Sequence, residues 1–135
     1  MGKYNVNEGN QIGYMPTEFD ANGNLVEQKL IADGDLTAGQ VVYISDNMKV
    51  KATTAASAAV LGVAMFDAKD GEPVAVECEG LFKLTAAGAI SAGSLVESAA
   101  DGKVATVDST VTKTIGIALN DASASGDPVF VKFSI

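Results

Sequence analysis

The chain has 135 residues with 17 acidic side chains against nine basic ones, every basic one a lysine. A net charge of −8 without arginine argues against nucleic acid as a direct partner, because phosphate and guanine recognition rests on a basic footprint and on arginine forks. One cysteine and no histidine exclude an intrachain disulfide and a thiolate–imidazole metal site, and the acids show no metal-ligand spacing, so no metal or other cofactor is expected.

Met1-Gly2-Lys3-Tyr4-Asn5 lacks the apolar run of a signal peptide, and no stretch reaches the roughly 18 apolar residues of a membrane span. A soluble protein made in the cytoplasm, with no membrane partner, is the expectation. Residues 1–24 are polar and keep neither a two-residue nor a helical period. Yet Tyr4, Tyr14 and Phe19 are three of only eight aromatics, and disordered tails are poor in aromatics.

This segment reads as an extended N-terminal arm whose rings dock on something. Three buried rings give roughly 11–19 kcal/mol at most, against about 24–48 kcal/mol of backbone entropy for some 24 residues. The arm must therefore also pair its backbone or meet a partner's surface. The candidate contact residues, for a partner or a neighbouring copy, are Tyr4, Ile12, Tyr14, Met15 and Phe19. Wrapping onto its own domain is the alternative.

Residues 25–135 read as a single β-domain. Leu25-Val26 and Leu30-Ile31 flank Glu27-Gln28-Lys29, as a strand with a bulge or as a short helical turn. Asp33-Gly34-Asp35 is a turn signal. Val41-Val42-Tyr43-Ile44 is a β-branched strand closed by Ser45-Asp46-Asn47. Ala52 to Ala59 is alanine-rich, but its counterpart from Thr106 to Lys113 is β-branched and poor for helix, so loop or strand is expected there, with a helical turn as the alternative.

That counterpart exists because the chain is written twice. Ala38-Gly39, Val42, Lys49-Val50 and Leu61-Gly62-Val63-Ala64 return 54 residues later as Ala92-Gly93, Val96, Lys103-Val104 and Ile115-Gly116-Ile117-Ala118. Gly71-Glu72-Pro73-Val74 returns 55 residues later as Gly126-Asp127-Pro128-Val129, one residue having entered the preceding loop. The repeats span about 38–81 and 92–135. Units of about 44 residues seldom stand alone without staples, so the two copies are expected to share one core.

Leu61, Val63 and Met65 alternate with Gly62 and Ala64, as do Ile115, Ile117 and Leu119 with Gly116 and Ala118, a period of two. The small residues imply another backbone close to their face. Pro73 and Pro128 open the next strands, where a missing N–H does least harm. The expected core face is Val42, Leu61, Val63, Met65, Val74, Val76, Ile115, Ile117, Leu119, Val129, Val131 and Phe133. The fold class is all-β, a small barrel or sandwich built from a duplicated β-module with an extended arm.

No catalytic set stands out. Cys78 lies between Glu77 and Glu79 with no histidine in the chain, and reads as a core residue rather than a nucleophile. Asp67-Ala68-Lys69-Asp70-Gly71-Glu72 lacks the alternate acids and distal glutamate of an EF-hand, and reads as a polar hairpin loop. The chain is not expected to be an enzyme.

Ala-Gly-x-x-Val, Leu/Ile-Gly-Val/Ile-Ala, Asp-Ala-x-x-Gly-x-Pro-Val and Glu-Gly-Leu-Phe, carried by Ala38-Gly39, Leu61 to Ala64, Asp67 to Val74 and Glu79 to Phe82, resemble the tailed-bacteriophage capsid decoration (cement, head-stabilisation) proteins. The resemblance covers roughly residues 36–135. It implies a barrel-like domain on the outer surface of the capsid in the virion, often a homotrimer, binding the major capsid protein and copies of itself. A displayed binding module, such as a head-fibre base or a glycan-binding domain, is the rival expectation.

Overall fold

The computed structural model describes residues 11–12, 18–19, 21–22, 25–26, 29–57, 59–108 and 113–134. Within them the strands are β1 (Gln11–Ile12), β2 (Glu18–Phe19), β3 (Leu25–Val26), β4 (Ile31–Ala32), β5 (Val41–Asp46), β6 (Lys49–Ala52), β7 (Val60–Ala64), β8 (Val76–Glu77), β9 (Glu79–Thr85), β10 (Leu95–Ser98), β11 (Val104–Thr106), β12 (Thr114–Ala118) and β13 (Pro128–Ser134). A first sheet runs β1-β8-β7-β5-β6-β4, a second runs β11-β10-β12-β13-β9, and β2 pairs with β3. The fold is all-β, as the alternation and the absence of helical periodicity require. The alanine-rich stretch follows β6 as irregular chain through residues 53–57.

Each sheet curls back toward its own start. In the first, β4 pairs with β6 while Ile31 bridges Pro73, just ahead of β8. In the second, Thr85 pairs with Pro128 and Ala86 bridges Val104 of β11. The result is two small barrel-like units, hereafter barrel 1 and barrel 2.

Their hydrogen bonds repeat atom for atom. Gly39 N donates to Ala64 O and Gly93 N to Ala118 O, both at 2.8 Å. Ala64 N donates to Gln40 O and Ala118 N to Ser94 O, both at 2.9 Å. Leu36 exchanges two bonds with Ala68, and Ile90 does so with Ala122. Further upstream Gly71 N donates to Ala32 O (2.9 Å) and Gly126 N to Ala86 O (2.8 Å). The shared backbone therefore begins near Leu30 and Leu84, before the first matching motif at Ala38 and Ala92. The signal is faint there because only Leu30/Leu84, Ala32/Ala86 and Gly34/Gly88 keep their identity.

The arm's first strand completes the correspondence. Gln11 and Ile12 pair with Glu77 and Val76 of β8; Leu81 and Phe82 of β9 pair with Lys132 and Val131 of β13. Residues 11–12 thus lie on their own domain, in the position beside β8 that β9 takes beside β13.

The expectation of one shared core holds only in part. Leu30, Ala32, Leu36, Val42, Val50, Ala64, Ala68, Val74 and Val76 form one buried cluster. Each has its counterpart 54 or 55 residues on, from Leu84 and Ala86 to Val129 and Val131, in a second cluster. That second cluster also takes in Ile115 and Phe133, and from barrel 1 Val41, Val60 and Val63. Each curled sheet gathers a buried cluster on its inner side, and the second cluster extends under the outer face of barrel 1.

The expected core face of β7 and β12 is corrected too. Val42 pairs with Gly62 and Tyr43 with Val60, leaving Leu61 as an extra residue. Val96 pairs with Gly116 and Glu97 with Thr114, leaving Ile115 in the same role. A β-bulge at each site breaks the two-residue period. Leu61 and Ile115 turn inward together with the small residues, while Val63 and Ile117 point out of their barrels. Met65 and Ile117 are half-buried and Leu119 is exposed. The small residues do meet a close backbone, as expected. A Cβ at Gly62 would overlap Glu77 O and one at Gly116 would overlap Lys132 O, with Val76 Cγ1 and Val131 Cγ1 each at 2.8 Å.

Candidate interaction surface

Of the five contact residues expected in the arm, Tyr4, Tyr14 and Met15 lie outside the described residues. Ile12 and Phe19 fall in β1 and β2, whose backbone pairing alone is described. The rest of the surface carries a feature the sequence reading missed.

The outer face of the second sheet is apolar. Leu95 of β10 pairs with Ile117 of β12, Ile117 with Lys132 of β13, and Lys132 with Leu81 of β9. A second row beside it joins Leu119 to Phe130 through the Leu119 N to Phe130 O bond of 2.8 Å, and Phe130 to Lys83. Directly opposed residues in antiparallel strands share a face, so these side chains form one patch. Leu81, Leu95, Leu119 and Phe130 are 69, 44, 48 and 48% exposed, and Lys83 and Lys132 stand among them. Large exposed apolar residues in contiguous rows mark an interaction site rather than ordinary surface. The alternation Val129-Phe130-Val131 held the signal, since Val129 and Val131 must face the interior and Phe130 the outside.

The acidic loops serve a structural purpose. Asp67 Oδ1 accepts from Ala38 N and Asp121 Oδ1 from Ala92 N, both at 2.8 Å. Asp70 Oδ1 accepts from Gly34 N at 2.8 Å. Glu72 Oε1 accepts from Lys69 N at 2.8 Å, and Asp127 Oδ2 does the same for Ala124 N at 3.1 Å. These carboxylates tie loops to neighbouring turns, and among the described residues no group of His, Cys, Asp or Glu is placed to hold a metal ion. Cys78 is half-buried and unpaired by disulfide, and no helix among the described residues is long and apolar enough to cross a membrane.

The described residues thus form two linked barrel-like units with an apolar outer face and loops tied by their own acids. The chain matches the phage cement protein family over residues 20–133, and it belongs to that family. Its fold is similar to the N base of head fibre gp8.5 of bacteriophage phi29, at 20% sequence identity and a TM-score of 0.59, over 77% of this chain and 89% of that one. At that identity the likeness is one of fold. The chain matches no curated protein. By that membership it is a phage cement-related protein.

Proposed function

We propose that this protein decorates the outer surface of the assembled phage head and stabilises it by non-covalent contact with the major capsid protein and with copies of itself, as a homotrimer. The observation that carries the reading is family membership across nearly the whole described domain. The protein acts by contact and not by turnover, and it needs no cofactor. The net charge of −8 suits a position away from packaged DNA. Many modest contacts, repeated over a symmetric shell, reach a large combined effect through multivalency.

The test is co-sedimentation of purified protein with undecorated, expanded heads. Saturable binding at a fixed copy number per head, with improved survival of heated heads, is the expected result. Absence of binding to both expanded heads and precursor shells would refute it. A second reading, favoured by the fold likeness to the head-fibre base, makes the chain the foot of a displayed module. It predicts binding at a small subset of positions, without a gain in head stability.

A further inference from the structure

We propose that the exposed outer face of the second sheet binds a second copy of this chain, head to tail, at the edge of barrel 1 formed by Ile44 and Met48. The reasoning starts from how the two barrels already meet. The outer face of barrel 1 packs on barrel 2, with Val41, Val60 and Val63 joining the buried cluster of barrel 2. Polar bonds seal the joint. Thr53 Oγ1 donates to Ala99 O at 2.8 Å, Gly102 N to Thr53 O at 3.0 Å, Ser57 N to Ser98 Oγ at 3.0 Å and Gln40 Nε2 to Asp101 O at 3.2 Å. One barrel gives a face; the other receives it on the edge running from Ser98 to Gly102.

Because the barrels share one backbone plan, each carries both a face and an edge, and among the described residues only one of each is used. The unused face is that of barrel 2. Val41 is 0% exposed where its counterpart Leu95 is 44% exposed, and the half-buried Met65 and Ala75 correspond to the exposed Leu119 and Phe130. The unused edge is that of barrel 1, where Ile44, Ser45, Asn47 and Met48 correspond to Ser98, Ala99, Asp101 and Gly102. Ile44 is exposed and Met48 half-buried.

Size at the joint is complementary in both settings. Within the chain Gln40 lies so close over Gly102 that a Cβ there would stand 2.6 Å from Gln40 Cβ. Between copies the corresponding pair is Ser94 with Met48, the small and large partners exchanged. A contact that joins a face to a different edge is heterologous, and repeats around a ring when its rotation closes. A homotrimer is one such ring.

The test uses the full chain in free solution, so its failure and failure to bind heads are separate results. Phe130→Glu, with Phe130→Ala as the milder change, breaks the face; Ile44→Glu breaks the edge. Both sites are exposed, and unchanged circular dichroism checks the fold. Sedimentation velocity of the parent at high micromolar concentration is expected to show species larger than a monomer. Each variant alone is expected to stay monomeric. An equal mixture is expected to form one-to-one dimers and nothing larger, since one intact face then meets one intact edge. A monomeric parent, an Ile44→Glu variant that assembles as the parent does, or a mixture that stays monomeric would each overturn the proposal.

Discussion

Replacing Gly116 by alanine tests the closeness of β12 to β13 directly. The new Cβ would overlap Lys132 O and stand 3.1 Å from Lys132 C and 2.8 Å from Val131 Cγ1. Neither neighbour can retreat easily. Lys132 offers backbone, and Val131 is fully buried in the interior of barrel 2. The two strands must therefore separate by about half an ångström or more, straining the Gly116–Phe133 to Ala118–Val131 ladder. Overpacking of this kind costs about 1–3 kcal/mol. With a urea slope of about 1–3 kcal/mol per molar, the unfolding midpoint should fall by roughly 1 M. Gly62→Ala should lose a similar amount, because it meets the same pair of neighbours in barrel 1. Gly88→Ala, with nothing within 4 Å of the new carbon, should stay within about 0.5 kcal/mol of the parent. Urea unfolding followed by circular dichroism reads all three. A Gly116→Ala midpoint equal to that of Gly88→Ala would refute the close approach.

Among the described residues Thr114 has a buried hydroxyl with no hydrogen-bond partner, and its counterpart in barrel 1 is Val60. Thr114→Val should therefore stabilise the protein by about 1 kcal/mol, seen as a higher urea midpoint; an unchanged or lower one would place a partner on that hydroxyl. Phe133 is 1% exposed and stacks edge-on against Phe82 at 5.9 Å between centroids. Phe133→Ala should cost about 3–5 kcal/mol, and a loss under about 1 kcal/mol in the same unfolding assay would contradict its central place. Deleting residues 1–24 should leave a folded domain that no longer co-sediments with heads; retained binding would remove the arm from the capsid contact. Asp67→Ala and Asp121→Ala each strip the same backbone amide bond, and each should cost about 0.5–1.5 kcal/mol. Clearly unequal losses in thermal or urea unfolding would break the equivalence of the two loops.

Much of the fold was legible because the repeat was. Gly62 and Gly116 announced a close backbone, and the Gly-x-Pro turns placed the strands after them. What escaped notice has physical causes. A bulge at Leu61 or Ile115 adds a residue without changing the look of the alternation, so the inward side of each strand could not be assigned. The opening strands of the two copies share little beyond a leucine and an alanine, because the barrel asks only for an apolar residue and a small one there. The division into two clusters stayed hidden because alternation gives the side of a strand and not the sheet it belongs to. The apolar face was missed for a related reason: Leu119 looks identical to a core leucine until its neighbours are known.

The passage from barrel 1 to barrel 2 takes a single residue. β8 ends at Glu77 and β9 begins at Glu79, with Gly80 at φ +132° turning the chain where a larger residue would be strained. There is no linker, and the joint is further bonded on both sides of Thr53. A push on one barrel is thus delivered to the other without slack. On a shell, as proposed, a change of curvature beneath the pair would tilt the two barrels together and pass strain to whatever they touch at the rim.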